Sequence, residues 1–151
     1  MEDTSKRELK ITRLLNAPRE LVWEMWTDPE HIKHWWGPSG FTNSISKMDV
    51  QPGGEWEFIM HGPDGTDYKN KHIYKELVKP ERIVLEHVST PRFLLTATFQ
   101  EQGEKTMLTL QGLFESEEQL RDVIRVFKAD AGMIQNVDRL EDYLKNLKLQ
   151  K

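Results

Sequence analysis

Histidines and the carboxylates around them are the groups through which this chain of 151 residues could do chemistry, since it contains no cysteine. His31 and His34 stand three apart, so on one helix both imidazoles could face a single metal ion. No third ligand sits near them in the sequence, and two surface imidazoles are the alternative. His61, His72 and His87 could pair with Glu76 or Asp49 for proton transfer, although no spacing requires it. Without cysteine, disulfides, thiolate metal sites and thiol nucleophiles are excluded. The sequence also lacks a nucleophile elbow, a phosphate-binding glycine loop and a dinucleotide fingerprint. The expectation is no catalytic residue, no metal and no cofactor.

Large apolar side chains are the second candidate set. Four of the five tryptophans (Trp23, Trp26, Trp35 and Trp36) fall between Ala17 and Gly37. Indoles in such density build either an aromatic plug or one wall of a binding cavity. Over residues 55–61, alternation places Trp56, Phe58 and Met60 on one face and Glu55, Glu57 and His61 on the other. The first face points inward, as core or as ligand contact. Over 67–78 one face carries Tyr68, Asn70, His72, Tyr74 and Glu76, and the other carries three lysines with Ile73 and Leu77. Lysines favour solvent, which would turn the polar face inward toward a wet pocket. A single bulge would invert every assignment after it. A sealed, dry pocket of about 300 Å³ would cost on the order of 7 kcal/mol, against a total stability of about 5–15 kcal/mol. Any pocket must therefore be wet, open or occupied, with Met25, Met60, Met107 and Met133 as adaptable liners.

The elements that would position these residues follow from periodicity and turn signals. A strand over 8–15 is stopped by Asn16-Ala17-Pro18, and Pro18 opens a helix reaching about Trp26. Asp28 caps a second short helix with Pro29 in its first turn, ended by Trp36-Gly37-Pro38. Strands are expected at 44–49, 55–61, 67–78, 82–88, 93–101 and 105–114. They are separated by turns at Pro52-Gly53-Gly54, Gly62-Pro63-Asp64-Gly65, Lys79-Pro80-Glu81, Thr90-Pro91 and Gln102-Gly103. Ser116 and Gln119 suit a capping box for a helix with Leu120, Val123, Ile124 and Phe127 on its apolar stripe. A longer helix over about 130–147 presents Met133, Val137, Leu140, Leu144 and Leu147 on one side. A sheet with one apolar face must be covered, and this last helix is long enough to do it. The chain therefore reads as one α+β domain over residues 1–151, a curved antiparallel sheet around a long C-terminal helix, with two short helices closing one end.

Net charge is −4 with both signs interleaved, which argues against nucleic acid and anionic membranes as partners. No apolar run approaches the roughly 20 residues of a membrane span. The first seven residues lack the apolar region of a signal peptide, so a cytoplasmic location is expected. Several segments, Ala17-Pro18-Arg19-Glu20-Leu21-Val22-Trp23, Trp26-Thr27-Asp28-Pro29-Glu30, Trp35-Trp36-Gly37-Pro38, Pro52-Gly53-Gly54, Gly62-Pro63-Asp64-Gly65, Lys79-Pro80-Glu81-Arg82 and Asp138-Arg139-Leu140, occur in an order that carries a resemblance. The chain resembles the helix-grip (START-like, SRPBCC) superfamily, and within it the branch named after the activator of Hsp90 ATPase. That resemblance implies a cavity between the sheet and the final helix. Members bind lipids, polyketides, hormones or chaperones, and some are enzymes, so fold alone does not fix function. The eukaryotic co-chaperones of the branch carry an additional N-terminal domain, and this chain resembles their C-terminal domain.

The leading expectation is a protein that binds a small, largely hydrophobic ligand. Trp26, Trp35, Trp36, Trp56, Phe58 and Met60 would form apolar walls, His72, Tyr74 and Glu76 would orient a polar group, and Met133, Gln135, Asn136 and Leu140 would form a helical lid. Two alternatives stand beside it. One is an Hsp90-cochaperone-like or stress-related interaction module. The other is a cyclase or hydrolase acting through His72 and Glu76.

Overall fold

Seven antiparallel strands lie in the order β1-β7-β6-β5-β4-β3-β2, so the first strand pairs with the last and β2 forms the far edge. This is a computed structural model, and it describes residues 5–89 and 92–149. The expected turn at Thr90-Pro91 lies outside the described residues. In chain order the elements are β1 (Glu8–Leu15), α1 (Arg19–Thr27), α2 (Pro29–Ile32), β2 (Thr42–Met48), β3 (Glu55–His61), β4 (Asp67–Val78), β5 (Arg82–His87), β6 (Phe93–Gln102), β7 (Lys105–Phe114), α3 (Glu117–Phe127) and α4 (Ala129–Leu149). The α+β helix-grip architecture is the one expected. Among the described residues no helix is long and apolar enough to cross a membrane.

Local chemistry sets the boundaries. The carbonyl of Pro18 accepts the first helical bonds of α1, from the amides of Leu21 and Val22. Asp28 accepts the Glu30 amide at 2.9 Å and starts α2, which lasts one turn. Ser116 accepts the Gln119 amide at 3.0 Å, while the Gln119 side chain accepts the Glu115 amide at 2.7 Å. These two bonds, a side-chain cap at Ser116 and a tie back to the preceding residue, fix the start of α3. Lys128, at φ 54°, separates α3 from α4 in a left-handed conformation.

One strand departs from simple alternation. In β4 the pairing shifts between Tyr74, opposite Leu85, and Glu76, opposite Val84. The bulge leaves Lys75 unmatched and turns Leu77 toward the core, where it packs, so the inward face reads Asn70, His72, Tyr74 and then Leu77.

Apolar residues gather in two places. The larger cluster joins Trp26, Trp35, Trp56, Tyr74, Leu85, Phe99 and Leu108 to Val137, Leu140 and Leu144 of α4. The smaller joins Phe114, Leu120 and Val123 to Leu9, Phe93, Ile124 and Ala129. The middle and C-terminal part of α4 therefore seals one end of the sheet, while α3 seals the other.

Candidate functional site

Between these clusters, under the N-terminal half of α4, lies an open cavity of about 840 Å³. Its floor is the inner face of the sheet: Phe58, Met60, His72, His87, Phe93, Leu95, Leu110, Gly112 and Phe114. The loop residues Trp36 to Ser39 and Phe41 form one side, and Ala129, Ala131, Gly132, Met133, Gln135 and Asn136 form the roof. Val126, Phe127 and Lys128 line it at the α3–α4 elbow, and Asp67 to Asn70 of β4 also contribute. Val126 and Phe127 are 56% and 62% exposed, which marks them as the mouth. Room exists partly because Gly112 stands where alternation calls for an inward side chain. A methyl there would touch Met133 and Phe114 at 3.5 Å, ordinary contact, with no φ constraint against it.

Rings pave the floor from strand to strand. Trp56 stacks on Phe58 with centroids 4.5 Å apart, and His72 lies 4.8 Å from Trp56 and 5.5 Å from Phe58. His72 then meets His87 at 5.0 Å, His87 meets Phe93 at 4.8 Å, and Phe93 meets Phe114 at 4.9 Å. The two imidazoles are direct cross-strand partners in β4 and β5. His87 Nε2 is 2.8 Å from Asn70 Oδ1. His72 is 2% exposed, and its Nδ1 has no hydrogen-bond partner among the described residues. Burial holds the His72 pKa well below the usual imidazole range, and the neighbouring His87 pushes the same way.

A guanidinium fixes the loop side of the cavity. Arg139 Nη1 donates to the carbonyls of Trp36, Gly37 and Pro38, and Nη2 to those of His34 and Phe41, all at 2.9–3.0 Å. Asn136 Oδ1 accepts the Gly37 amide and Gln135 Oε1 accepts the Ser39 amide, both at 3.1 Å. Three residues of α4, with Arg139 three and four positions after Asn136 and Gln135, thus bind the loop between His34 and Phe41. Gly37, at φ +94°, makes that path possible.

Of the residues expected to touch a ligand, Trp36, Phe58, Met60, His72, Met133, Gln135 and Asn136 line the cavity together. Trp26, Trp35, Trp56, Tyr74 and Leu140 are buried in the adjoining core and form its support. Trp26 packs edge-on against Trp35 and Trp36 at 5.1 and 5.5 Å, and Trp35 Nε1 donates to the Met25 carbonyl. The tryptophan segment is thus mostly a plug, with Trp36, itself buried, as its cavity-lining member. Tyr74 is held in its phenol form by burial, reinforced by Asp49. Glu76 requires a correction. The β4 bulge turns it outward, where it is part-exposed and bonded to Arg82, so it neither orients a cavity ligand nor pairs with His72.

The other histidines take structural partners. His31 Nδ1 lies 2.8 Å from the Tyr143 hydroxyl, and His34 stacks on the same ring at 5.8 Å. Glu24 and Asp28 bring carboxylates near His31, with Asp28 engaged as the α2 cap. His61 bridges Ser44 and Asp67, each at 2.7 Å. Sequence reasoning did not single out His87, Gly112, Phe114, Phe127 or Arg139 as ligand or rim residues. A lone glycine in the alternating run from Thr106 to Phe114 was the available signal for the cavity.

Several solved structures share this architecture. A protein of Arthrobacter aurescens is 21% identical, with a TM-score of 0.89 over 97% of this chain and 90% of that one. A Nitrosomonas europaea protein is 25% identical, with a TM-score of 0.85 over 96% and 98%. The AHSA1-like protein from Aeromonas hydrophila is 18% identical, with a TM-score of 0.71 over 93% and 95%. No curated protein matches the sequence. With the fold shared and the family model matching residues 16–145, this chain belongs to the family described as Activator of Hsp90 ATPase homolog 1-like protein.

Proposed function

We propose that this protein binds a small, largely apolar ligand in the cavity between the sheet and the N-terminal half of α4. The observation that carries this reading is about 840 Å³ of ring-lined, open space that draws its lining from both apolar clusters, with Phe93 packed against each. The space is open at an exposed mouth, so solvent has access to it. It is therefore solvated or filled, and its lining favours an apolar guest. Trp36, Phe58, Met60, His72 and Met133 contact the guest in this reading. Gln135, Asn136 and Arg139 hold the rim, and Trp26, Trp35, Trp56, Tyr74 and Leu140 keep the wall rigid.

Two measurements test it together: native mass spectrometry of untagged protein from its own host, and a thermal-shift screen against lipids, polyketides and aromatic compounds. A ligand at about 100 times its dissociation constant stabilises by about 2.7 kcal/mol. A co-purifying mass or such a shift is expected. Unaltered melting across the screen with no co-purifying molecule overturns the reading. An Hsp90-type chaperone as partner has the family description behind it, and it predicts capture of the host's Hsp90 homologue at micromolar concentration. Absence of capture removes it.

A further inference from the structure

Among the described residues, His72 alone both lines the cavity and carries a buried side-chain atom with no hydrogen-bond partner. The groups against it come from three elements: Trp36 from the loop, Trp56 and Phe58 from β3, and His87 from β5. Of these only His87 is ionisable, and it bears the same sign when charged. Charged residues of the lining, Asp67, Lys69 and Lys128, are exposed at its rim, and Asp67 is engaged by His61. An anionic group brought to the floor would lose its hydration without meeting a fixed cation. A hydroxyl is different. It can donate to or accept from an imidazole nitrogen in either tautomer and leaves no net charge to desolvate.

We propose that His72, backed by His87, is a neutral hydrogen-bonding subsite at the buried end of the cavity, taking the hydroxyl of an otherwise apolar ligand and excluding carboxylates. This deepens the cavity-binding reading and rests on it. The apolar body of such a ligand would run along Phe93 and Gly112 toward Phe127 at the mouth. Burial of His72 keeps its imidazole neutral near neutral pH, which suits a hydroxyl and withholds the positive charge that would offset a carboxylate's desolvation.

The test is competition for an uncharged fluorescent dye, with octan-1-ol, 1-chlorooctane and octanoate as probes of nearly equal apolar length, at about pH 8. Octan-1-ol is expected to displace the dye about tenfold more effectively than 1-chlorooctane, the usual net effect of one hydrogen bond, and octanoate to be the weakest. In His72→Phe, which keeps a ring in the row, the advantage of the alcohol over the chloride falls to about one. His72→Gln, which keeps hydrogen-bonding capacity, retains part of it. If the probes compete but alcohol and carboxylate do so equally, or if His72→Phe leaves the preference intact, the subsite is refuted and cavity binding stands. If the dye does not bind, or none of the probes displaces it, the cavity reading fails and the subsite with it.

Discussion

A single guanidinium, that of Arg139, meets five backbone carbonyls between His34 and Phe41. The carbonyl of Trp36 also accepts from the Asn43 side chain and that of Pro38 from the Phe41 amide, and Arg139 adds partners for the carbonyls of His34, Gly37 and Phe41. Burial works against the charge of Arg139, and the five acceptors offset that. Arg139→Ala is expected to lower stability by about 2–4 kcal/mol, because it strands several part-buried acceptors at once. Arg139→Lys should recover only part, since an ammonium offers three donors on a point charge in place of a planar fork. Urea unfolding of both variants checks the order, and equal stability of the lysine variant and the parent would refute the staple. Glu76 offers the complementary test. Glu76→Gln should leave binding of any cavity ligand unchanged, as its side chain bonds Arg82 on the outer face, and this can be read by titration beside His72→Phe.

At the scale of elements, what was legible in the sequence was whatever local chemistry dictates. Asp28-Pro29 and Ser116 with Gln119 start their helices, and Trp56, Phe58 and Met60 face inward as alternation requires. Glu76 was not legible, because a bulge is a property of the β4–β5 pair and β4 alone carries no mark of it. His87 belongs with Ile83 and Leu85 on the inward side of β5, but only the cross-strand register brings it to His72. Burial of His72, and after it the neighbouring His87, also gives this pair of strands a pH dependence. The folded-state pKa of His72 lies below its ordinary value of 6.5, so its contribution to stability is present above that pH and declines as pH falls below it. On the outer face, Lys71 and then Lys47 hold the Glu55 carboxyl below 4.5. Its contribution is present above 4.5 and is lost only at more acid pH. Denaturant titrations from about pH 8 to 5 should therefore show stability falling in the histidine window. His72→Phe should flatten that fall, and an unchanged slope in this variant would remove His72 as its origin.

Across the whole molecule, the two apolar clusters explain why one fold can be both stable and hollow. The packing of Val137, Leu140 and Leu144 in the larger cluster, with the α3 cluster at the other end, anchors both ends of the sheet. The span between them need not be filled. Gly112, near the middle of that span on β7, allows a direct trial of this division. Gly112→Phe would carry a ring into the cavity from a Cβ in ordinary contact with Met133 and Phe114, replacing the residue least suited to a strand with one well suited to it. Filling space normally stabilises, so unfolding should show a gain of about 1 kcal/mol or no loss, while affinity for any cavity ligand drops at least about tenfold. A stability loss above about 2 kcal/mol would mean that the side chain has nowhere to go, and that the space is closed to guests of similar size. Retained affinity in a stable variant would place the ligand elsewhere on the molecule. Because the two readouts are expected to move in opposite directions, general damage to the fold cannot imitate the outcome.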